Sequence, residues 1–183
     1  AYLSEWASNG QLMPLDDLLA SGAINVSDVA QSVLDSGKID GVTYGLSLGS
    51  NSQAFILDVD AFEKAGLELP SPAWTWGEFE DTVLKLHETL GIWGFGTLLD
   101  DEALWKSLQI GHGWWAFNAD GTALGYDDDQ PMIDHLNMIL RLQEAEAIPS
   151  PEQEAEFAAN SGPEASPLVT GKSAMQYQWS NQV

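Results

Sequence analysis

The stretch Asp40–Pro70, DGVTYGLSLGSNSQAFILDVDAFEKAGLELP, decides how this chain is read. Asp40-Gly41 sits between apolar residues, the strongest short signal for a hairpin turn. The strand leaving that turn is expected over Val42–Leu48. A second apolar run, Ala54–Leu57, predicts another strand, and VDAFEKAG predicts a short helix ending at Gly66. Between the two strands lies a polar island, Ser50-Asn51-Ser52-Gln53. A turn would account for it, yet the island holds four side chains that can hydrogen-bond.

Working outward, punctuation by Gly and Pro divides the rest of the chain. YLSEWASNG reads as helix closed at Gly10, MPLDDLLASG as helix from about Pro14 to Gly22, and NVSDVAQSVLDSG as helix stopped at Gly37. Thr75 and Glu78 form a T-x-x-E capping box, with Trp74 and Phe79 placed as a hydrophobic staple. The helix after it presents Phe79, Val83, Leu86 and Leu90 and closes at Gly91. Those two aromatics are expected to be structural. IWGFGTLL reads as a short strand, and DDEALWKSLQIG as a helix capped by Asp100 or Asp101. WWAFNADGTALGY predicts a hairpin at Asp120-Gly121. DDDQPMIDHLNMILRLQEAEAI predicts the longest helix, with Ile133, Leu136, Ile139, Leu140 and the stem of Gln143 on one face. KSAMQYQW closes as a strand. Short strands alternating with helices make the class α/β, richer in helix than in strand.

Composition narrows the chemistry. Twenty-eight acids against six Lys and Arg give a net charge of −22 over 183 residues. Such a surface repels nucleic acid and disfavours anionic ligands and anionic membranes. Neutral or cationic small molecules remain. The chain has no cysteine, which removes thiol nucleophiles and disulfides. His87, His112 and His135 lack metal-ligand spacing and read as surface or helix-face residues, so no metal site is expected. Nucleotide-binding and serine-hydrolase motifs are missing, and no cofactor is expected. Acidic clusters at 16–17, 100–102 and 127–129 each lie where a helix begins, where the helix dipole favours negative charge. Trp105, Trp114, Trp115 and Trp179 fall near element ends. Indole beside neutral amides suits a sugar, which offers an apolar C–H face and a rim of hydroxyls.

The order of segments carries a resemblance. GQLMPLDDLL, then the opening stretch, then TWGEFEDTVLKL and finally GKSAMQYQWSN resemble the family 1 extracellular solute-binding proteins of bacterial ABC importers, the sugar-binding group that includes maltose-binding protein. The resemblance runs from Tyr2 to Gln182. It implies a type II periplasmic-binding-protein-like fold with two α/β lobes, a ligand held between them and closure about a hinge. Residues 1–48 would be the end of the first lobe, 49–53 the crossover, and 54–183 most of the second lobe. With Ala1 rather than Met at the start and a strand-like run at the end, an interior segment is expected.

The same resemblance implies site residues. Asn51 falls at the crossover where relatives place a polar ligand contact, flanked by Ser50 and Gln53. The stretch Asp100–Trp105 matches a ligand-lining loop and helix start, which makes Asp101 and Trp105 candidates. Trp179 matches an aromatic that stacks on sugar, with Asn181 and Gln182 as further amides. The expected activity is non-enzymatic: an extracytoplasmic receptor, periplasmic or lipid-anchored through a segment outside this stretch, that passes a carbohydrate to permease subunits. Two alternatives stay open. One is a carbohydrate hydrolase using paired carboxylates; the other is the same receptor fold with a polyamine or other cation as ligand.

Overall fold

In the computed structural model, which describes residues 2–159 and 162–182, the chain divides into two units, Ala1–Asn51 and Ser52–Val183. The first unit carries three short helices, α1 (Leu3–Ser8), α2 (Asp16–Ala20) and α3 (Gln31–Asp35), and the hairpin β1 (Lys38–Ile39) and β2 (Val42–Thr43). Its turn is built as expected: Asp40 and Gly41 both lie at positive φ, 51° and 82°, which suits a two-residue turn to the twist of the strands. Asp16 accepts hydrogen bonds from the Thr43 N–H and hydroxyl at 3.1 and 3.2 Å. One carboxylate of the first acidic pair therefore ties α2 to β2.

Two expectations in this unit need correction. The strand after the turn stops at Thr43, not Leu48. The N–H groups of Tyr44 and Gly45 both reach back to the Gly37 carbonyl, at 2.9 and 3.2 Å, which takes the chain out of the ladder. A Cβ on Gly37 would overlap the Gly45 backbone, so glycine permits this approach. Leu48 is fully exposed. The helix α3 starts only at Gln31, because the Asn25 side chain captures the Ser27 N–H at 3.0 Å and holds the preceding residues in a turn.

The second unit holds one regular sheet and five α-helices among the described residues. Strands β3 (Gln53–Leu57) and β4 (Met175–Trp179) pair antiparallel, with Gln53 opposite Trp179, Phe55 opposite Tyr177 and Leu57 opposite Met175. Helix α4 (Val59–Ala65) is capped by Asp58, which accepts from the Ala61 N–H, and ends at left-handed Gly66. Helix α5 (Trp76–Leu90) begins with the predicted capping box, Thr75 N–H to Glu78 Oε2 at 2.8 Å and Glu78 N–H to Thr75 Oγ1 at 3.3 Å. The staple is present too, with Trp74 and Phe79 rings edge-on at 5.4 Å. Helices α6 (Glu102–Gly111), α7 (Gln130–Glu144) and α8 (Pro151–Ala159) follow.

The core gathers Phe62, Phe79, Val83, Leu86, Phe95, Leu142, Ile148 and Met175, all essentially inaccessible. Phe55 is its aromatic hub, touching Trp74, Trp76, Phe79, Phe95 and Tyr177 at centroid distances from 5.1 to 6.4 Å. The residues of IWGFGTLL do not form the expected strand. They make a single parallel bridge, Trp93 to Ser173, and beyond it the Gly94 N–H turns to the Ala147 carbonyl and the Gly96 N–H to the Met175 carbonyl, both at 2.9 Å. Gly94 lies against the Val83 carbonyl and Gly96 against Ser173, with no room for a Cβ. The predicted hairpin at Asp120-Gly121 is reduced to one bridge, Phe117 to Leu124, its loop closed instead by Asn118 accepting from the Thr122 and Ala123 N–H groups.

Helix α7 corrects a further expectation. It matches α5 in length at 15 residues, and the face it buries shares only Ile139 with the expected one. His135, Met138, Ile139 and Leu142 point inward, whereas Ile133, Leu136 and Leu140 are 46%, 45% and 55% exposed. Both sets have helical spacing, and only packing distinguishes them. His135, expected at the surface or on a helix face, is 6% exposed.

Candidate ligand pocket

The pocket is assembled where the ends of β3 and β4 meet the loop before α6. Register puts Gln53 directly across from Trp179, so an amide and an indole share one sheet edge. The Tyr177 hydroxyl donates to Gln53 Oε1 at 2.9 Å, which fixes the amide and turns its NH₂ away from Tyr177. Asp101 is the N-cap of α6; its Oδ1 accepts from the Ala103 N–H at 2.7 Å, as a helix start favours. From α8, Glu154 reaches the Leu98 N–H at 3.4 Å. These elements enclose a cavity of ≈ 200 Å³ lined by Gln53, Thr97, Leu99, Asp100, Asp101, Leu104, Glu154, Tyr177, Gln178 and Trp179.

Its electrostatics are one-sided: three carboxylates line it and no Lys, Arg or His. Burial pushes the Glu154 carboxyl above its usual range, against the Leu98 hydrogen bond, and Asp100 nearby pushes it further up. Burial likewise raises the Tyr177 phenol, with a further contribution from Asp101. The surroundings accept hydrogen bonds and disfavour anions. A ligand that donates, through hydroxyl or ammonium groups, is the chemical complement. Gln53, Leu104 and Tyr177 also border a neighbouring cavity of ≈ 280 Å³ walled by Phe55, Trp74, Trp76 and Phe79. Acidic and aromatic spaces thus share one partition.

Of the residues expected from the sequence, Gln53, Asp101 and Trp179 come together here. Trp105 does not line this cavity; it is half-buried and set edge-on to Phe117 at 5.4 Å. Asn181 is exposed in the short turn Ser180–Gln182, and Gln182 accepts from the Trp179 N–H at 3.1 Å. Ser50 and Asn51 are exposed residues of the first unit. Thr97, Glu154, Tyr177 and Gln178 are lining residues that sequence reasoning did not single out, and Asp100 opens the stretch expected to line the ligand. For Tyr177 and Gln178 the alternation of QYQW carried a usable signal. Glu154 lay hidden in a helix rich in acids. A larger cavity of ≈ 880 Å³, near Trp93, Phe157 and Lys172, contains none of the expected residues. Among the described residues no cluster of His, Asp or Glu could hold a metal ion.

With this geometry in hand, comparison with known proteins becomes informative. Residues 1–183 match the family described as bacterial extracellular solute-binding protein. A Brucella abortus (strain 2308) protein, named as a binding protein, is 30% identical over 130 residues, covering 67% of this chain and 30% of its own length. A family 1 extracellular solute-binding protein from Alicyclobacillus acidocaldarius superimposes with a TM-score of 0.66 at 30% identity, over 98% of this chain and 43% of that one. An ABC substrate-binding protein from Listeria monocytogenes, in complex with cycloalternan, gives a TM-score of 0.79 at 23% identity, over 97% of this chain and 45% of its own. The chain thus spans less than half the length of each of these three.

Proposed function

The chain belongs to the bacterial extracellular solute-binding proteins, and from that membership we propose that it captures a carbohydrate outside the cytoplasm and delivers it to an ABC permease. The observation that carries the ligand class is the pairing of Trp179 with Gln53 across the sheet edge, beside Asp100 and Asp101. An indole face accepts the C–H side of a pyranose, while carboxylates accept its hydroxyl protons and the Gln53 NH₂ donates to an oxygen. Structural likeness agrees: the Listeria protein holds cycloalternan, and a Thermotoga lettingae relative holds tagatose.

The mechanism is ligand-stabilised closure, in which the closed state gains contacts that the open state lacks. In this reading residues 49–53 carry the chain from one lobe to the other. Among the described residues no helix is long and apolar enough to cross a bilayer.

A second reading keeps the fold and exchanges the sugar for a cation, favoured by the three lining carboxylates. A Mycobacterium tuberculosis neighbour holds glycerophosphocholine, a zwitterion that joins a quaternary ammonium to a phosphodiester. Titration calorimetry with maltose, tagatose, cycloalternan, spermidine and glycerophosphocholine separates the two. Saturable binding of a sugar, with that sugar recovered unchanged, is the expected result. Silence from every sugar together with binding of spermidine or glycerophosphocholine would replace the first reading with the second.

A further inference from the structure

Leu99 is a bulky residue held at φ 61°, in the left-handed region that side chains of its kind rarely enter. It is also nearly inaccessible, at 2% exposure, and it immediately precedes Asp100 and Asp101 in the pocket wall. Strain at such a position persists only when its surroundings over-determine it. The surroundings are identifiable. His135, on α7, places Nε2 3.1 Å from the Leu99 carbonyl. A carbonyl only accepts, so Nε2 carries the proton and donates. The imidazole is held edge-on to Trp76 at 4.9 Å, which restricts ring rotation. On the other side of Leu99, Glu154 accepts from the Leu98 N–H.

We propose that His135 is a positioning residue for ligand binding: its hydrogen bond to the Leu99 carbonyl clamps the left-handed kink that presents Asp100 and Asp101 to the pocket. Asp101 cannot set this geometry alone, because its Oδ1 is engaged with the first turn of α6. The clamp reaches from α7, 36 residues away in sequence, so the pocket wall is registered against the core of the second unit rather than against its own loop. Burial holds the imidazole pKa below its ordinary value, against the Leu99 hydrogen bond, which favours the neutral ring at pH 7.

The binding consequence rests on the proposed carbohydrate reading, so the test has one arm that needs no ligand. In the full chain, His135→Leu removes the donor, and His135→Gln keeps an N–H near the Nε2 position. Amide hydrogen exchange is read over residues 98–104 and, as an internal control, over α4, which does not touch His135 as α5 does through Trp76. The leucine variant is expected to exchange about tenfold faster in 98–104 with α4 unchanged, the effect of losing one net hydrogen bond. The glutamine variant is expected to stay within about threefold of the parent protein. Equal exchange in the two variants would overturn the clamp. If His135→Leu does not fold, nitrogen-15 imidazole shifts of the unmodified protein decide: an Nε2–H tautomer supports the clamp and an Nδ1–H tautomer refutes it. With maltose, or whichever sugar the panel identifies, affinity is expected to follow the exchange, falling about tenfold for leucine and largely restored by glutamine. Loosened exchange with unchanged affinity would leave a purely structural bond and defeat the positioning role.

Discussion

At the scale of single residues, two side chains in the pocket separate binding from stability. Trp179 is 42% exposed at the end of β4, so its removal costs the fold little. Trp179→Ala is expected to weaken sugar binding about tenfold or more, as loss of an aromatic platform does, with the thermal midpoint almost unchanged. Calorimetry and a melting curve on the same sample check both halves. Glu154 shows the opposite balance. Its carboxyl is raised by burial first and by Asp100 second, so the folded state holds the proton to higher pH than the unfolded chain. Between the two pKa values the native state binds more protons, and stability falls as pH rises through that window. Glu154→Gln, which keeps an acceptor for the Leu98 N–H, is therefore expected to melt about 1–2 °C higher at pH 7. The gain should fade as the pH drops to about 4, where the parent carboxyl has taken up its proton. A gain that persists at acid pH would assign the effect to something other than charge.

At the scale of elements, α5 shows how a local signal becomes tertiary structure. Its capping box satisfies two N–H groups that the first turn would otherwise leave without partners. The staple then brings Phe79 to 5.4 Å from Trp74 and 5.2 Å from Phe95, which fixes the angle at which the helix enters the core. Thr75→Ala is expected to cost about 1 kcal/mol, read as a fall of roughly 2–4 °C in the melting midpoint. Because Thr75 also borders the aromatic cavity beside the pocket, the same variant reports whether that cavity is part of the binding surface. Unchanged affinity with reduced stability is the outcome of a purely structural cap. The ring cluster around Phe55 has a comparable element-level role, joining β3, β4 and α5 through a single side chain.

At the scale of the whole molecule, the dominant quantity is the charge. Against a net charge of −22, four ion pairs are formed among the described residues, and of these only Arg141 with Glu80 is bidentate. Exposed pairs of this kind contribute little, so self-repulsion among carboxylates is left to solvent ions. Raising sodium chloride from about 0.05 M to 1 M shortens the screening length to about 3 Å. The melting midpoint is expected to rise by several degrees over that range, measured by scanning calorimetry at pH 7. A midpoint that stays flat or falls would show that the carboxylates already lie too far apart to matter. The same field bears on ligand choice, since a polyanionic surface around an acidic pocket disfavours anionic solutes before any contact forms.

What the sequence determined by itself is whatever depends on neighbours along the chain. Asp40-Gly41 had to turn because both positions need positive φ. Thr75 and Glu78 had to start a helix, because each satisfies a donor only three residues away, and α6 had to be capped by Asp100 or Asp101, of which Asp101 takes the role. The order of these signals also carried the family resemblance, and with it the expectation that Ser50, Asn51, Gln53, Asp101, Trp105, Trp179 and Asn181 serve one site; of these, Gln53, Asp101 and Trp179 line the pocket. Other features could not be read in advance. Helix α7 has apolar residues on two faces, and only packing chose His135, Met138, Ile139 and Leu142 over Ile133, Leu136 and Leu140. Glu154 is one acid among 28 until α8 carries it to Leu98. His135 is an ordinary helical histidine until the fold sets it under Leu99, 36 residues away. Hydrogen bonds within a turn are written into consecutive residues. Burial and strain belong to surfaces that meet only after the chain has folded, and for this protein they decided the wall of the pocket.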